Sequence, residues 1–329
     1  LVAISDILKD RRERAEQELK CDAYADYKEM LARDDIELVV NSLPSYLHPQ
    51  ASIDALKTGH NVVCEKPLAW SAAEASRMIR AARKAGKILA PFQQSRNAPH
   101  FQKILQVIDS GVLGRIVQIN ISYSGFSRRW DWQTLQEFRG GNLLNTGPHP
   151  MDQAMRLLDF KKPKEIVCTM DRANTFGDAN DHVKILMRTP GKPDIDVEIS
   201  SCAMYPRPMF SVYGTQGGLT GGPAALEWKY FDPKKASARK LIREPLPGPS
   251  YCRDDMQYIE KSWGPNKQQK NSFGYMSKCF YDYMYKVLRE GAPLTITPEQ
   301  VRVQVAVMEE CHRQNPLSKI KAKGWTKGS

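Results

Sequence analysis

His149 and Lys66 are the residues of this chain whose types best suit acid–base work on an alcohol or a carbonyl. Oxidising a secondary alcohol sends a hydride to an acceptor and a proton to a base. An imidazole titrates near neutrality, so it can take or return that proton. A lysine at the same oxygen can donate to it and stabilise the developing alkoxide. His149 lies in a run that begins with Gly140 and Gly141, continues through Asn145 and Gly147, and ends at Asp152. Asn145 and His149 are four apart, so they share a face if this segment starts a helix. The paired glycines suit a tight turn. Lys66 follows the apolar run 61–64 and precedes Pro67. By residue type alone, His149 also fits a core histidine with satisfied nitrogens, and Lys66 a solvated lysine.

Asp6 closes the short apolar run Leu1 to Ile4 with Ser5. An acid at the end of a second parallel strand accepts from the ribose hydroxyls of NAD and repels the 2′-phosphate of NADP. NAD is therefore the expected cofactor, with NADP possible, since Lys9, Arg11 and Arg12 lie close by. An ordinary surface aspartate is the plainer reading. Upstream of the histidine, Trp130 and Trp132 stand beside Arg128 and Arg129. Indole faces stack on sugar rings and guanidinium groups hold hydroxyls or carboxylates, and core packing would also account for the tryptophans.

The elements that must position these residues alternate in the first half. Strand-like runs at 1–4, 36–40, 61–64 and 88–92 are separated by helical stretches at 11–19, 26–32, 49–57 and 72–85. Asp26 is the expected N-cap of one helix and Gly86 the C-cap of another. This order indicates βαβ units and a parallel sheet. After residue 95 a helix at 101–110 leads into alternating runs at 116–123, 165–170, 182–188, 196–203 and 209–213. These read as an open, mainly antiparallel sheet. Residues 232–272 are rich in Pro, Lys and Gly and read as a long excursion or lid. Helices at 275–289 and 298–313 follow. The expected fold is α/β: a Rossmann-type domain over 1–95, then an α+β substrate-binding and oligomerisation domain over 96–329.

The formal charge is +11, with hydrophobic residues at 41% and charged residues at 26%. Part of the charge lies in Lys319, Lys321, Lys323 and Lys327, read as a solvated end. No basic stripe interleaved with aromatics points to nucleic acid, and no apolar run approaches the roughly 18 residues of a membrane span. The seven cysteines are scattered without a C-x-x-C, which argues for free thiols in a reducing compartment such as the cytoplasm, and against a disulfide scaffold or a zinc site; no metal site is expected.

Two segments resemble the glucose–fructose oxidoreductase / inositol dehydrogenase family, often written Gfo/Idh/MocA. Ser42, Leu43, Pro44 and His48, then Glu65, Lys66 and Pro67, match its strand–turn–helix–strand pattern. Gly140, Gly141, Asn145, Gly147, His149 and Asp152 match its catalytic segment. The resemblance implies a nicotinamide-dependent dehydrogenase of a sugar, polyol or sugar acid. Lys66, His149 and Asn145 would be catalytic. Asp6, Ser42, Leu43, Pro44, His48, Glu65, Lys66, Pro67 and Gln94 would hold the cofactor. Arg96, Trp130, Trp132 and the catalytic three would hold the substrate. It also implies a cis bond before Pro67 and a homodimer or homotetramer formed through the C-terminal sheet. Many relatives have Asp at the position of Asn145 and Arg at that of Ser95.

Two other functions share this pattern. One is an NAD-using glycosidase that works by transient oxidation, and the other a non-catalytic sugar-sensing regulator. Retention of both Lys66 and His149 counts against the sensor. In a Rossmann fold the acid represented by Asp6 follows a Gly-x-Gly-x-x-Gly turn by about 20 residues, and five residues precede it here. The first strand and its Gly-rich loop are therefore expected upstream of Leu1, and the sheet is expected to show a gap at its centre.

Overall fold

The computed structural model describes residues 1–319 apart from Pro247, Pro249 and Ser250, so Lys321, Lys323 and Lys327 lie outside it. The first half runs β1 (Ala3–Ser5), α1 (Lys9–Leu19), β2 (Asp22–Tyr24), α2 (Tyr27–Met30), β3 (Leu38–Asn41), α3 (His48–Lys57), β4 (Asn61–Cys64), α4 (Ala72–Ala85) and β5 (Leu89–Pro91). Every pairing in it is parallel. The strands form two ladders, β1-β2 and β3-β4-β5, and β1 and β3 are not hydrogen-bonded to each other. Val62, Val63 and Cys64 of β4 are fully buried, as a strand covered on both faces must be.

Local chemistry fixes the helix ends. The Asp26 carboxylate accepts from Lys28 N at 2.9 Å, and Ser71 Oγ from Glu74 N at 3.2 Å. Gly86 ends α4 at φ 62°, where a glycine escapes the steric cost of the left-handed region.

The second half runs α5 (Pro99–Asp109), β6 (Ile116–Ser124), α6 (Asn142–Asn145), α7 (Pro148–Leu157), β7 (Glu165–Asp171), β8 (His182–Arg188), β9 (Asp194–Ser200), β10 (Phe210–Gly214), β11 (Gly217–Gly221), β12 (Leu226–Phe231) and β13 (Tyr258–Trp263). The eight strands form one sheet in the order β13-β12-β11-β10-β6-β9-β8-β7. Only β6 and β9 pair in parallel. The 232–272 excursion is thus not a free lid, because its later part returns to the sheet as β13, paired with β12.

The closing helices α8 (Ser272–Glu290) and α9 (Pro298–Gln314) do not stay with the second half. Phe280, Met284, Ile296, Val301 and Val305 are buried in one cluster with Val62, Leu68, Met78 and Leu89 of the first. Val307, Met308 and Cys311 join the other core, under the sheet. The end of α9 therefore packs with the second half while its start packs with the first.

Candidate active site

The loops at the carboxyl ends of β4 and β5 meet the segment 140–152, and the loop after β3 is tied to the first of them. The loop after β3 is pinned by Asn41, whose Nδ2 donates to His48 O at 3.0 Å and to Ser52 Oγ at 2.9 Å. Its Oδ1 accepts from Leu43 N at 3.3 Å. Ser42 is exposed on this turn, with Leu43 and Pro44 half-buried beside it. His48 is buried, and its ring lies between two carbonyls, Nδ1 2.8 Å from Pro67 O and Nε2 2.7 Å from Leu43 O. Burial lowers its pKa, the two carbonyl contacts oppose that, and the Lys66 charge lowers it further. With both nitrogens engaged inside the protein, His48 ties the Leu43 turn to the Lys66–Pro67 turn, two segments expected beside the cofactor.

The Lys66–Pro67 bond is cis. Glu65 is half-buried, accepts from Lys66 N at 3.1 Å, and has its pKa raised by burial. Lys66 crosses the cleft and donates from Nζ to Asn145 O at 2.7 Å. Burial lowers its pKa, Glu65 opposes this, and the Arg129 charge adds to the lowering.

Asn145 and His149 do not share a helix. Asn145 ends α6, Thr146 and Gly147 intervene, and His149 is the second residue of α7. A Cβ on Gly147 would lie 2.1 Å from Leu143 O, so only glycine allows the chain to break and restart here. Gly141 has φ 105° and sits against Asn180, which accounts for the second member of the glycine pair. His149 Nδ1 is 3.2 Å from Ser95 Oγ. Burial, and secondarily the Lys66 charge, push its pKa down to about 4, so the ring is neutral at pH 7. Asn145 touches Lys66 through its backbone carbonyl, not its side-chain amide.

Arg96 is buried, and its Nε and Nη2 donate to Asp152 Oδ2 and Oδ1 at 2.9 and 2.6 Å. Its Nη1 donates to Gln300 Oε1 at 2.6 Å and Thr295 O at 3.3 Å. The guanidinium lies 4.6 Å from the Phe160 ring centroid. These contacts occupy a side chain that the sequence had assigned to substrate. Gln94 is buried beside it, and its Oε1 has no hydrogen-bond partner among the described residues. Asp6 follows β1, where its Oδ1 accepts from Leu8 N at 2.9 Å and its Oδ2 from Arg11 Nη1 at 3.2 Å.

Trp132 is 39% exposed and meets Phe138 edge-on at 6.4 Å, and Phe138 lies 5.5 Å from Tyr46. Trp130 is 79% exposed, farther out on the same loop. The loop is fastened by Arg139, which holds Glu74 at the start of α4 with bonds of 2.7 and 2.9 Å.

Ser95 meets His149 across the cleft, a contact that the sequence did not signal, and the Arg129 charge acts on Lys66. Tyr281 of α8 has its pKa raised by burial and by Glu65, and its ring lies 5.8 Å from that of Phe92. Among the described residues no group of His, Cys, Asp and Glu could hold a metal ion, and no helix is long and apolar enough to cross a membrane. A depression of about 690 Å³ lies away from this chemistry, on the outer face of the sheet between β10 and β13.

The family model for the Gfo/Idh/MocA oxidoreductases, an NAD-binding Rossmann fold, matches residues 1–93, and the model of that family's C-terminal domain matches residues 101–220. The chain belongs to the Gfo/Idh/MocA oxidoreductase family. It is similar to the scyllo-inositol 2-dehydrogenase (NADP(+)) IolW of Bacillus subtilis, at 24% identity over 95% of this chain and 88% of that protein. It is 26% identical to the 2,7-anhydro-N-acetylneuraminate hydratase of Mediterraneibacter gnavus over 62% of this chain. That alignment covers 56% of the relative's own length. The fold matches the WlbA dehydrogenase of Bordetella pertussis, solved with NADH and UDP-GlcNAcA, with a TM-score of 0.77 over 95% of this chain and 87% of that one, at 20% identity. The Rossmann module and the mainly antiparallel sheet expected from sequence are thus both features of this oxidoreductase family.

Proposed function

We propose that this Gfo/Idh/MocA protein interconverts a secondary alcohol and a ketone on a sugar, polyol or sugar acid, with His149 as acid/base and Lys66 as the stabiliser of the alkoxide. The observation that carries this reading is the pairing of a neutral His149 with the Lys66 charge at the carboxyl edge of parallel strands. Ligands of open parallel sheets bind at that edge. A neutral imidazole can take the hydroxyl proton. The Lys66 ammonium, now held by Asn145 O, can turn its other N–H bonds to the oxygen. The Asn145 amide orients substrate without adding charge.

The residues present fit a dinucleotide. The turns at Ser42–Pro44 and Glu65–Pro67 end adjacent strands, and the orphaned Gln94 Oε1 offers an acceptor at the end of the third. Asp6 favours NAD over NADP. When bound, the nicotinamide supplies or accepts the hydride. Residues 1–95 serve the cofactor and 96–329 the substrate, with α8 and α9 joining the two.

We also propose a homodimer or homotetramer through the outer face of the eight-stranded sheet. Val167 and Tyr213 are exposed there, and Lys184 lies 2.7 Å from Asp196 and 3.6 Å from Glu198. The scattered free cysteines, four of them buried, suit a reducing cytoplasm.

The test is a screen of sugars, polyols and their acids with NAD and NADP, following NADH absorbance. Turnover giving a keto sugar, faster with NAD, is the expected result. A relative named as a hydratase favours one second reading, transient oxidation without net redox change, as in the NAD-using glycosidases. Release of aglycone without net NADH would select it.

A further inference from the structure

We propose that Trp130 and Phe176 form an outer sugar subsite, so that the substrate is a glycoside with a second ring beyond the one oxidised. This rests on the sugar-oxidoreductase reading above. The two aromatic side chains are 79% and 58% exposed. They meet edge-on, with centroids 6.3 Å apart and planes at 87°. The Arg128 guanidinium lies 4.6 Å from the Phe176 centroid, so one ring of the pair is held by a cation and the other is left bare.

The pair is continuous with the reacting centre. Phe176 N donates to Arg129 O at 3.1 Å, which joins its segment to the tryptophan loop. Arg129 is fixed by two bonds of 2.9 Å to Asp131, and its charge is felt at Lys66. Trp132, less exposed than Trp130, meets Phe138, which lies 5.5 Å from Tyr46 beside the Ser42–Pro44 turn. Aromatic rings thus stand on both sides of Trp130 and Trp132, with the Arg128 and Arg129 guanidinium groups on the same loop.

Large exposed apolar rings grouped near a cleft mark a binding surface. The occupant must offer a flat C–H face to Trp130 and hydroxyls to Arg128 and Arg129. A sugar ring does both. A free monosaccharide engaged by Lys66 and His149 would leave the outer rings unused, whereas a second ring joined to it would cover them.

The experiment compares kcat/KM for hexoses and for the disaccharides and simple glycosides built from them, using the whole protein with NAD. The wild type is expected to prefer the two-ring substrates. Trp130→Ala and Phe176→Ala should each lower the ratio of two-ring to one-ring kcat/KM about 3- to 10-fold, mostly through KM, and Trp130→Tyr should restore it. An unchanged ratio overturns the subsite and leaves the oxidoreductase reading intact. If no sugar is oxidised, that reading falls instead. The subsite is then judged by titrating tryptophan fluorescence with the same disaccharides in the presence of NADH. Quenching that depends on Trp130 supports it, and its absence overturns it. A change in sedimentation on Trp130→Ala, with saccharide affinity unchanged, also overturns it, because the patch is then covered by a second copy of the chain.

Discussion

Arg96 with Asp152 and Lys66 with His149 are two polar pairs on the same seam, between the loop after β5, the turn after β4 and the start of α7. In the first pair the carboxylate is fully buried and receives two guanidinium bonds, and Nη1 of the guanidinium donates to Gln300 and Thr295, so four of its five N–H groups are used. In the second pair both groups are basic. Burial depresses the pKa of each, each is lowered further by a neighbouring cation, and His149 Nε2 has no hydrogen bond among the described residues. A saturated pair holds the loop, while an unsaturated one keeps donor and lone-pair capacity for something that is not protein. Burial and charge alone do not separate a structural site from a reactive one. What separates them is the count of hydrogen-bonding positions left over.

His149→Ala should lower kcat by about 10²–10⁴-fold, the usual worth of a positioned acid–base group. The protein should still fold and bind NADH, which circular dichroism and NADH fluorescence would show. Near wild-type turnover would remove the imidazole from the chemistry.

The saturated pair should fail in the opposite way. Arg96→Met leaves the Asp152 carboxylate buried without its partner. Losing one member of a buried pair typically costs about 3–5 kcal/mol. Urea unfolding should show that loss, while the folded fraction keeps a measurable kcat. A variant as stable as wild type but inactive would return Arg96 to the substrate side of the cleft.

The alternation of short strands and helices was readable because burial imposes a period on apolar residues, and the runs at β3, β4 and β8 are clear cases. β2 is three residues long and starts with an aspartate. β11 contains Gly217, Gly218 and Gly221. Strands like these form because a neighbour offers a ladder, not because their own residues prefer one. β13 was hidden in a Pro- and Lys-rich stretch for the same reason. At the site, the turn residues and the Gly-to-Asp152 segment could be found from spacing. The work of His48 and Arg96 could not, because the carbonyls and carboxylate that use up their nitrogens belong to other loops. Ser95 reaches His149 across 54 residues of sequence, a contact that only the folded chain specifies.

His100 is a third unsaturated basic side chain, away from the cleft residues. It is buried at the start of α5, 6.0 Å from the Phe210 ring, and neither ring nitrogen has a hydrogen-bond partner among the described residues. Burial pushes its pKa down to about 4 from 6.5. Below pH 6.5 the unfolded chain takes up a proton that the folded chain refuses. Stability should therefore fall as pH drops from 6.5 to about 4 and level off below that. The loss from this ring is about 3 kcal/mol at most. His100→Leu should flatten that part of the stability–pH curve measured by denaturant unfolding. An unchanged slope would mean that the ring finds a partner in solution.

The smallest expected effect comes from the contact that joins the two pairs' loops, Ser95 Oγ with His149 Nδ1. Ser95 is buried, and its carbonyl accepts from Gln153 Nε2 at 3.1 Å, so its hydroxyl is held in place behind the imidazole. A neutral hydrogen bond of this kind is worth about 0.5–1.5 kcal/mol. Ser95→Ala should therefore lower kcat by no more than roughly tenfold, with KM little changed. Ser95→Asp is the more telling variant. A carboxylate at that place stabilises the imidazolium and raises the pKa of His149. In the wild type the base form is lost only as pH falls through about 4, so the acidic limb of kcat/KM for alcohol oxidation lies there. In Ser95→Asp that limb should move upward by about one pH unit or more. A limb that stays where it is in both variants would show that Ser95 packs against His149 without steering its proton.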